Sequence, residues 1–124
     1  MIFIDSNILA YAFYDNDNGE KCHQVIREGG IVNAVNLIEA YNIIQHEVDA
    51  EHAAKSIKSL LKSNLIIIDA DTNLVFEALR RAFKYKNLKF VDIVHYSCAL
   101  INGCNVIVSY DKDFDGLDIP REEP

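Results

Sequence analysis

The feature that most constrains the fold of this chain is a set of three short, unbroken apolar runs. Longer segments with helical periodicity separate these runs. The runs are MIFI at residues 1 to 4, LIII at 65 to 68 and VIV at 106 to 108. Branched apolar residues without polar alternation are typical of parallel strands that are covered on both faces. Because strands that alternate with helices need crossover connections, the pattern predicts an α/β fold with a parallel sheet.

Helical periodicity and capping residues predict the elements between these runs. Apolar residues recur with 3.6-residue spacing within residues 53 to 61 and again within residues 74 to 83. Ser6 or Asn7 is the expected N-cap of a helix that follows the first strand, and Asp71 is the expected N-cap of a later one. The helices are therefore expected to begin soon after the strands end.

Two weaker patterns complete the predicted architecture. Residues 31 to 33 and residues 117 to 119 are predicted as short strands, which gives a central parallel sheet of four or five strands. Helices on both faces of this sheet make a three-layer α/β/α fold. With 124 residues and no linker, residues 1 to 124 are expected to form a single domain.

Cysteine usage and the first residues indicate the compartment. Cys22, Cys98 and Cys104 are odd in number and lack metal-finger spacing, so neither a disulfide framework nor a structural zinc site is expected. The first apolar stretch has no basic segment before it and contains Asp5, which argues against a signal peptide or a membrane span. We therefore expect a soluble, cytoplasmic protein without membrane association.

Acidic residues interrupt or end apolar segments at four places where burial alone would favour carbon. Asp5 ends the first run, Glu39 interrupts NLIEAYNII, Asp92 interrupts KFVDIVHYSCAL, and Asp111 follows the last run. Ligands bind beyond the carboxyl ends of strands in open parallel sheets, and two of these residues lie there. The sequence therefore predicts one acidic crevice, which would bind a divalent cation because adjacent carboxylates repel each other.

Phosphodiester hydrolysis is a reaction that such a crevice can support. Divalent cations can activate water and neutralise the phosphoryl oxygens, and Mg²⁺ or Mn²⁺ needs only hard oxygen ligands. The net charge of −7 argues against a generally basic surface for nucleic acid. Bound cations would nevertheless convert the most acidic part of the surface into one that attracts phosphate.

The segments DSNIL, NLIEAYNII and FVDIVHYSCALINGCNVIVSYDKDF resemble PIN domains in order and spacing, and among them the VapC-like toxin ribonucleases. The resemblance covers nearly the whole chain and implies a metal-dependent endoribonuclease. It also implies an RNA substrate, a protein antitoxin and a homodimer. The catalytic and metal-binding residues implied by the resemblance are Asp5, Glu39, Asp92 and Asp111.

The resemblance further implies supporting roles for Asn7 and Ser109, which would position the site by hydrogen bonding. Asp113 lies two residues after Asp111, and we expect Asp111 to face the metal while Asp113 begins the following turn. PIN domains more often have small or aliphatic residues in the turn after the acid that corresponds to Asp92. His95 departs from this pattern, so it is a candidate to crowd or tune the site.

A basic stretch precedes the segment that contains Asp92. Arg80, Arg81 and Lys84 are its candidate substrate-binding residues, with Lys86 and Lys89 further along. Such residues would contact phosphates without reading base sequence. The alternative is a solvated helix face, which charge runs usually are.

The residues alone are also compatible with other functions. An aspartate-based phosphatase would use Asp5 as nucleophile, although Asn7 occupies the position where that chemistry ordinarily has a second acid. A phospho-receiver would use Asp69 as its acceptor. A non-catalytic RNA-binding or interaction module would keep the fold without the reaction, but it has no need to retain four mutually repelling carboxylates.

Overall fold

A five-stranded parallel sheet forms the centre of the protein. The computed structural model describes residues 1–124. The strands are β1 (Ile2–Ile4), β2 (Ile31–Asn33), β3 (Ile66–Ile68), β4 (Val106–Val108) and β5 (Arg121–Glu122). They are arranged in the order β3-β2-β1-β4-β5, and every neighbouring pair is parallel.

Six helices and one short 3-10 helix connect and flank the strands. They are α1 (Ser6–Tyr11), α2 (Gly19–Glu28), α3 (Ala34–Glu47), α4 (Ala50–Leu61), α5 (Thr72–Arg81), α6 (Phe90–Ile101) and the 3-10 helix Lys112–Phe114. None of these helices combines the length and the apolar character needed to cross a membrane.

Strands β1 to β4 contribute side chains to two separate apolar cores, one on each face of the sheet. In β1, Phe3 packs into the core beneath α5 and α6, whereas Ile4 packs into the core beneath α1 to α4. In β4, Ile107 and Val108 divide in the same way. Alternation along a strand sends successive side chains to opposite faces, so apolar runs without polar alternation are required here. The predicted three-layer α/β/α fold is confirmed.

Asp71 caps α5 as predicted, because its carboxylate accepts a hydrogen bond from the Leu74 backbone N–H at 3.0 Å. The predicted cap of α1 is wrong. Asp5, rather than Ser6 or Asn7, is the N-cap, and its Oδ1 accepts from the Ser6 backbone N–H at 2.8 Å. The carboxylate that ends β1 is therefore held in place by the start of α1.

The fifth strand lies further along the chain than the sequence predicts. Residues 117 to 119 do not form a strand, because the backbone N–H groups of Asp118 and Ile119 donate to the Tyr96 hydroxyl at 3.0 and 3.4 Å. The side chain of Ile119 is buried in the core beneath α6. This anchored turn leaves Arg121–Glu122 to pair with β4.

Candidate active site

The predicted acidic residues meet in one crevice at the carboxyl edge of the sheet. The crevice has a volume of about 330 Å³. Its lining residues are Asp5, Ser6, Asn7, Glu39, Asn42, Ile43, Asp92 and Asp111. Asp5 follows β1, Asp92 lies in the first turn of α6, and Glu39 projects from α3. Parallel strands thus bring together carboxylates that are far apart in the sequence.

Asp5 is the most buried of these acids, and both of its oxygens accept hydrogen bonds. While Oδ1 caps α1, Oδ2 accepts from the Ser109 hydroxyl at 2.6 Å and from Asn7 Nδ2 at 3.4 Å. Asn7 Nδ2 also lies 3.4 Å from Ser109 Oγ. A carboxylate has about four lone-pair positions, so these contacts orient Asp5 without exhausting its capacity to bind a cation.

Ser109 also positions the end of β4. Its hydroxyl oxygen accepts from the Asp111 backbone N–H at 2.9 Å while the same hydroxyl donates to Asp5. Ser109 has no solvent exposure, so these bonds are shielded from competing water. Asn7 and Ser109 therefore connect Asp5 to the segment that carries Asp111 by hydrogen bonds.

Asp111 and Asp113 both approach Asp92. One carboxylate oxygen from each of the three residues lies within 4.8 Å of the other two. Asp111 lines the crevice and its Oδ1 accepts from the Asp113 backbone N–H at 2.9 Å. Asp113 is exposed in the 3-10 helix at the outer rim. The prediction that Asp111 rather than Asp113 faces the metal stays a prediction, because an oxygen of each residue lies close enough to Asp92 to share one ion.

Glu39 is held from two sides through a single oxygen. Its Oε1 accepts from the Ser6 hydroxyl at 2.6 Å and from His95 Nε2 at 2.5 Å. His95 is fully buried, and its ring packs against Phe3 with the ring centroids 5.9 Å apart. Because both bonds fall on Oε1, the second carboxylate oxygen is left for the crevice.

The acids differ in their affinity for a proton. Burial raises the pKa of Asp5, although the hydrogen bond from Ser109 opposes this effect. Burial and then the negative charge of Asp5 raise the pKa of Asp92 to about 6. For Glu39, burial acts upward but hydrogen bonds from His95 and Ser6 outweigh it, so the pKa is lowered. The protein alone therefore does not fully stabilise the charged forms of Asp5 and Asp92.

This donor set fits a hard divalent cation. It offers carboxylate oxygens from several elements, and no cysteine lines the crevice. Mg²⁺ and Mn²⁺ prefer such ligands, whereas zinc sites usually include histidine or cysteine. The raised pKa values of Asp5 and Asp92 provide an independent reason, since a cation would stabilise the charged forms that burial disfavours.

The basic stretch lies outside the crevice. Arg80 and Arg81 pair with Glu77 on the same helix, at 3.1 and 3.0 Å. Lys84 lines a neighbouring groove that also contains Asp113. Lys89 lies close enough to Glu39 for its positive charge to lower the pKa of that carboxyl. Substrate binding by Arg80, Arg81 and Lys84 stays a prediction.

Sequence reasoning missed several polar residues that support the crevice. Asn33 and Asn36 have no solvent exposure, and Ser6 contacts Glu39 instead of capping α1. The sequence signal that could have identified them is the three-residue spacing of Asn33 and Asn36, which is that of a capping box.

Asp69, the acceptor required by a phospho-receiver, is exposed after β3 and does not line the crevice.

Comparisons with known proteins agree with this architecture. VapC20 of Mycobacterium tuberculosis, a toxin that cleaves the sarcin-ricin loop, has a similar fold with a TM-score of 0.85. The two sequences are 14% identical, and the alignment covers 100% of both chains. Comparison with curated proteins finds no match. The family model for the PIN domain matches residues 2–120, so the chain belongs to the PIN domain family.

Proposed function

We propose that this protein is a metal-dependent endoribonuclease that hydrolyses RNA phosphodiester bonds with water as the nucleophile. The observation that carries the proposal is the convergence of Asp5, Glu39, Asp92 and Asp111 in one crevice at the carboxyl edge of the sheet. Membership of the PIN domain family and the similarity of fold to an RNA-cleaving toxin support the choice of RNA.

Mg²⁺ or Mn²⁺ would be held by Asp5, Asp92 and Asp111, with Glu39 beside them. When bound, such ions activate water and neutralise charge on the phosphoryl oxygens. The protein's own contribution is to hold the carboxylates in position before substrate arrives. Ser109 fixes Asp5 by a hydrogen bond of 2.6 Å, and it fixes the Asp111 backbone at 2.9 Å. Rigid positioning of this kind lowers the cost of reaching the transition state.

The surroundings of Asp5 disfavour the aspartate-based phosphatase. A nucleophilic carboxylate must turn one oxygen in line with phosphorus, but hydrogen bonds to both oxygens of Asp5 hold that carboxylate in one orientation. Asn7, at the position where that chemistry uses a second acid, instead donates towards Asp5. A non-catalytic module remains the alternative that the following experiment distinguishes.

The test is cleavage of mixed RNA by purified protein with Mn²⁺ or with EDTA. We expect cleavage only with metal, and we expect Asp5→Asn to lower the rate on the order of 10²-fold or more, because it removes a buried ligand charge. Asp69→Asn is the matched control, since Asp69 also follows a strand but is exposed outside the crevice. Cleavage that survives EDTA, or equal activity of wild type and Asp5→Asn, would contradict the proposal.

We further propose that the protein acts in the cytoplasm as a homodimeric toxin that a protein antitoxin restrains. Exposed apolar residues on the outer face of α5 and in the turn that follows it support a protein interface. Phe76 and Leu79 on α5 are 60% and 54% exposed, and Phe83 after it is 85% exposed. Light scattering at micromolar concentration should report a dimer. A monomer under these conditions would contradict the dimer without affecting the nuclease proposal.

A further inference from the structure

A closed set of hydrogen bonds lies directly behind Glu39 and links α1, α3 and α6. His95 Nδ1 lies 3.0 Å from Asn33 Nδ2, and its Nε2 contacts Glu39. Ser6 Oγ also contacts Glu39 and accepts from Asn36 Nδ2 at 2.9 Å. All of these residues except Glu39 are buried. Buried polar groups of this kind are costly unless each donor meets an acceptor.

The backbone of α3 determines which way both asparagine amides face. Asn33 Oδ1 accepts from the backbone N–H groups of Val35 and Asn36, at 2.9 and 3.2 Å. Asn36 Oδ1 accepts from the Asn33 backbone N–H at 2.8 Å. A backbone N–H can only donate, so both oxygens are identified and both Nδ2 groups must point away from the backbone.

The orientations of the Asn33 and Asn36 amides determine which atom donates in each remaining hydrogen bond of the set. Asn33 Nδ2 is a donor, so His95 Nδ1 must accept and the ring proton must lie on Nε2. Asn36 Nδ2 likewise donates to Ser6 Oγ, so the Ser6 hydroxyl proton is directed to Glu39. Glu39 Oε1 therefore accepts two hydrogen bonds, one from Ser6 and one from the Nε2–H of His95.

We propose that His95 is a positioning residue for the nuclease reaction: its Nε2–H, fixed by Asn33, holds Glu39 Oε1 so that the other oxygen of Glu39 faces the crevice. This inference rests on the proposed function, because it assigns His95 a role in the same site. His95 lies one helical turn after Asp92 on α6, so its bond to Glu39 also sets the distance between the acids of α6 and α3.

Packing alone does not explain a histidine here. The neighbours of His95 along α6, Val94 and Tyr96, belong to the core, and the His95 ring lies at a tilted angle against Phe3. An apolar residue would fit such surroundings, but it would leave Asn33 Nδ2 without its acceptor and Glu39 with one donor fewer. The lowered pKa of Glu39 agrees with two donors to its carboxylate, since these donors and the positive charge of Lys89 together offset the effect of burial.

Two substitutions separate the two ring nitrogens of His95. Glutamine extends about as far as Nε2 and keeps an N–H for Glu39, whereas asparagine ends near Nδ1 and accepts from Asn33 without reaching Glu39. We expect His95→Asn to lower kcat for RNA cleavage about 10- to 100-fold, with little change in KM, and His95→Gln to recover most of the loss. Full activity of His95→Asn, or equal losses in the two variants, would overturn the inference.

A double-mutant cycle tests whether His95 acts through Glu39. Glu39→Gln is measured alone and combined with His95→Asn. If His95 only positions Glu39, the combined variant should cleave no more slowly than Glu39→Gln, because the group being positioned is already altered. Independent losses that multiply in the combined variant would show that His95 acts elsewhere, and they would overturn the inference.

The ring proton of His95 can be observed without any RNA cleavage. In metal-free protein labelled with ¹⁵N-histidine, we expect a ring with its proton on Nε2 and a bare Nδ1, and we expect His95→Gln to remove this signal. An Nδ1–H ring would overturn the inference. Absence of metal-dependent cleavage by wild type would instead defeat the proposed function, so the two failures are distinguishable.

Discussion

The two ends of the central sheet are built in opposite ways. At the carboxyl edge, β1, β2 and β4 end in or lead into Asp5, Asn33 and Ser109, which are all buried and hydrogen-bonded. At the amino edge, Gly30 packs directly on the strand beside it. A Cβ atom added at Gly30 would lie 2.9 Å from carbon atoms of both Ile2 and Ile4.

This difference shows where the fold is stabilised and where it sacrifices stability for a site. The packing of Gly30 against Ile2 and Ile4 gains dispersion and hydrophobic energy without burying a charged group. The carboxyl edge buries carboxylates such as Asp5 and Asp92, whose raised pKa values show that the folded state disfavours their charge. Sites that must bind a cation commonly carry such an energetic cost.

Adding metal should have the largest effect on stability. This effect should arise only from ion binding in the crevice at the carboxyl edge. Mn²⁺ at a hundred times its Kd should raise the free energy of unfolding by about 2.7 kcal/mol at neutral pH. The gain should shrink as the pH falls through about 6, because a proton on Asp92 then competes with the ion. Urea denaturation with Mn²⁺ and with EDTA measures both effects.

Two variants control the metal experiment. Asp5→Asn should abolish most of the stabilisation, whereas Asp69→Asn should retain it because Asp69 is exposed outside the crevice. Equal stabilisation of both variants would mean that the ion binds elsewhere on this acidic protein.

Gly30→Ala should damage the amino edge without changing the site. The added methyl group overlaps Ile2 and Ile4, and overpacking of this size costs about 2 kcal/mol. Urea denaturation measures the loss, and Mn²⁺ titration of the folded protein should give the wild-type affinity. Ile4→Val in the same background removes one of the overlapping carbon atoms and should recover part of the stability. A loss of metal affinity in Gly30→Ala would show that the two edges are coupled.

Asp92→Asn should stabilise the metal-free protein at neutral pH. The pKa of Asp92 is raised from its ordinary value of 3.8 to about 6, so its charge destabilises the folded state above pH 6 and has no effect below about 3.8. That difference corresponds to about 3 kcal/mol, which partial exposure to solvent reduces to about 1–2 kcal/mol. Urea denaturation in EDTA should show that the free energy of unfolding of Asp92→Asn exceeds that of wild type by an amount that grows as the pH rises from 4 to 6.

Glu39→Gln provides the opposite case in the same crevice. The pKa of Glu39 is lowered, so its charge stabilises the fold above its ordinary pKa, and this stability is lost as the pH falls through the lowered pKa. Glu39→Gln should therefore destabilise the protein at neutral pH. If both variants shift stability in the same direction, the contrast between Asp92 and Glu39 is wrong.

The two edges also differ in how well the sequence predicts them. Apolar runs such as residues 106 to 108 specify buried parallel strands, because no other environment accepts consecutive branched residues so readily. Carboxylates that interrupt apolar segments, such as Asp92, likewise reveal the edge at which ligands bind. Local patterns carry this information, so the three-layer fold follows from the sequence, and the four acids are candidates for one crevice from the sequence alone.

Contacts between distant segments are not encoded in such patterns. The bond between His95 and Glu39 depends on how α3 and α6 pack, and the sequence alone indicates only that His95 lies near Asp92. The shift of β5 has the same origin, because the Tyr96 hydroxyl binds the backbone of Asp118 and Ile119. Side chains that bridge elements can override weak strand propensity.

Substitutions in the basic stretch should produce the smallest changes in stability. Arg80→Ala and Arg81→Ala each remove an ion pair with Glu77 on the same helix, and pairs of this kind change stability only slightly. Because these arginines are already paired, we expect Lys89→Ala, beside Glu39, to weaken RNA binding more than either arginine variant does. The salt dependence of RNA affinity, measured on Asp5→Asn backgrounds to prevent cleavage, tests this order. A larger change in slope for Arg80→Ala or Arg81→Ala than for Lys89→Ala would place the phosphate path along α5 instead of at the start of α6.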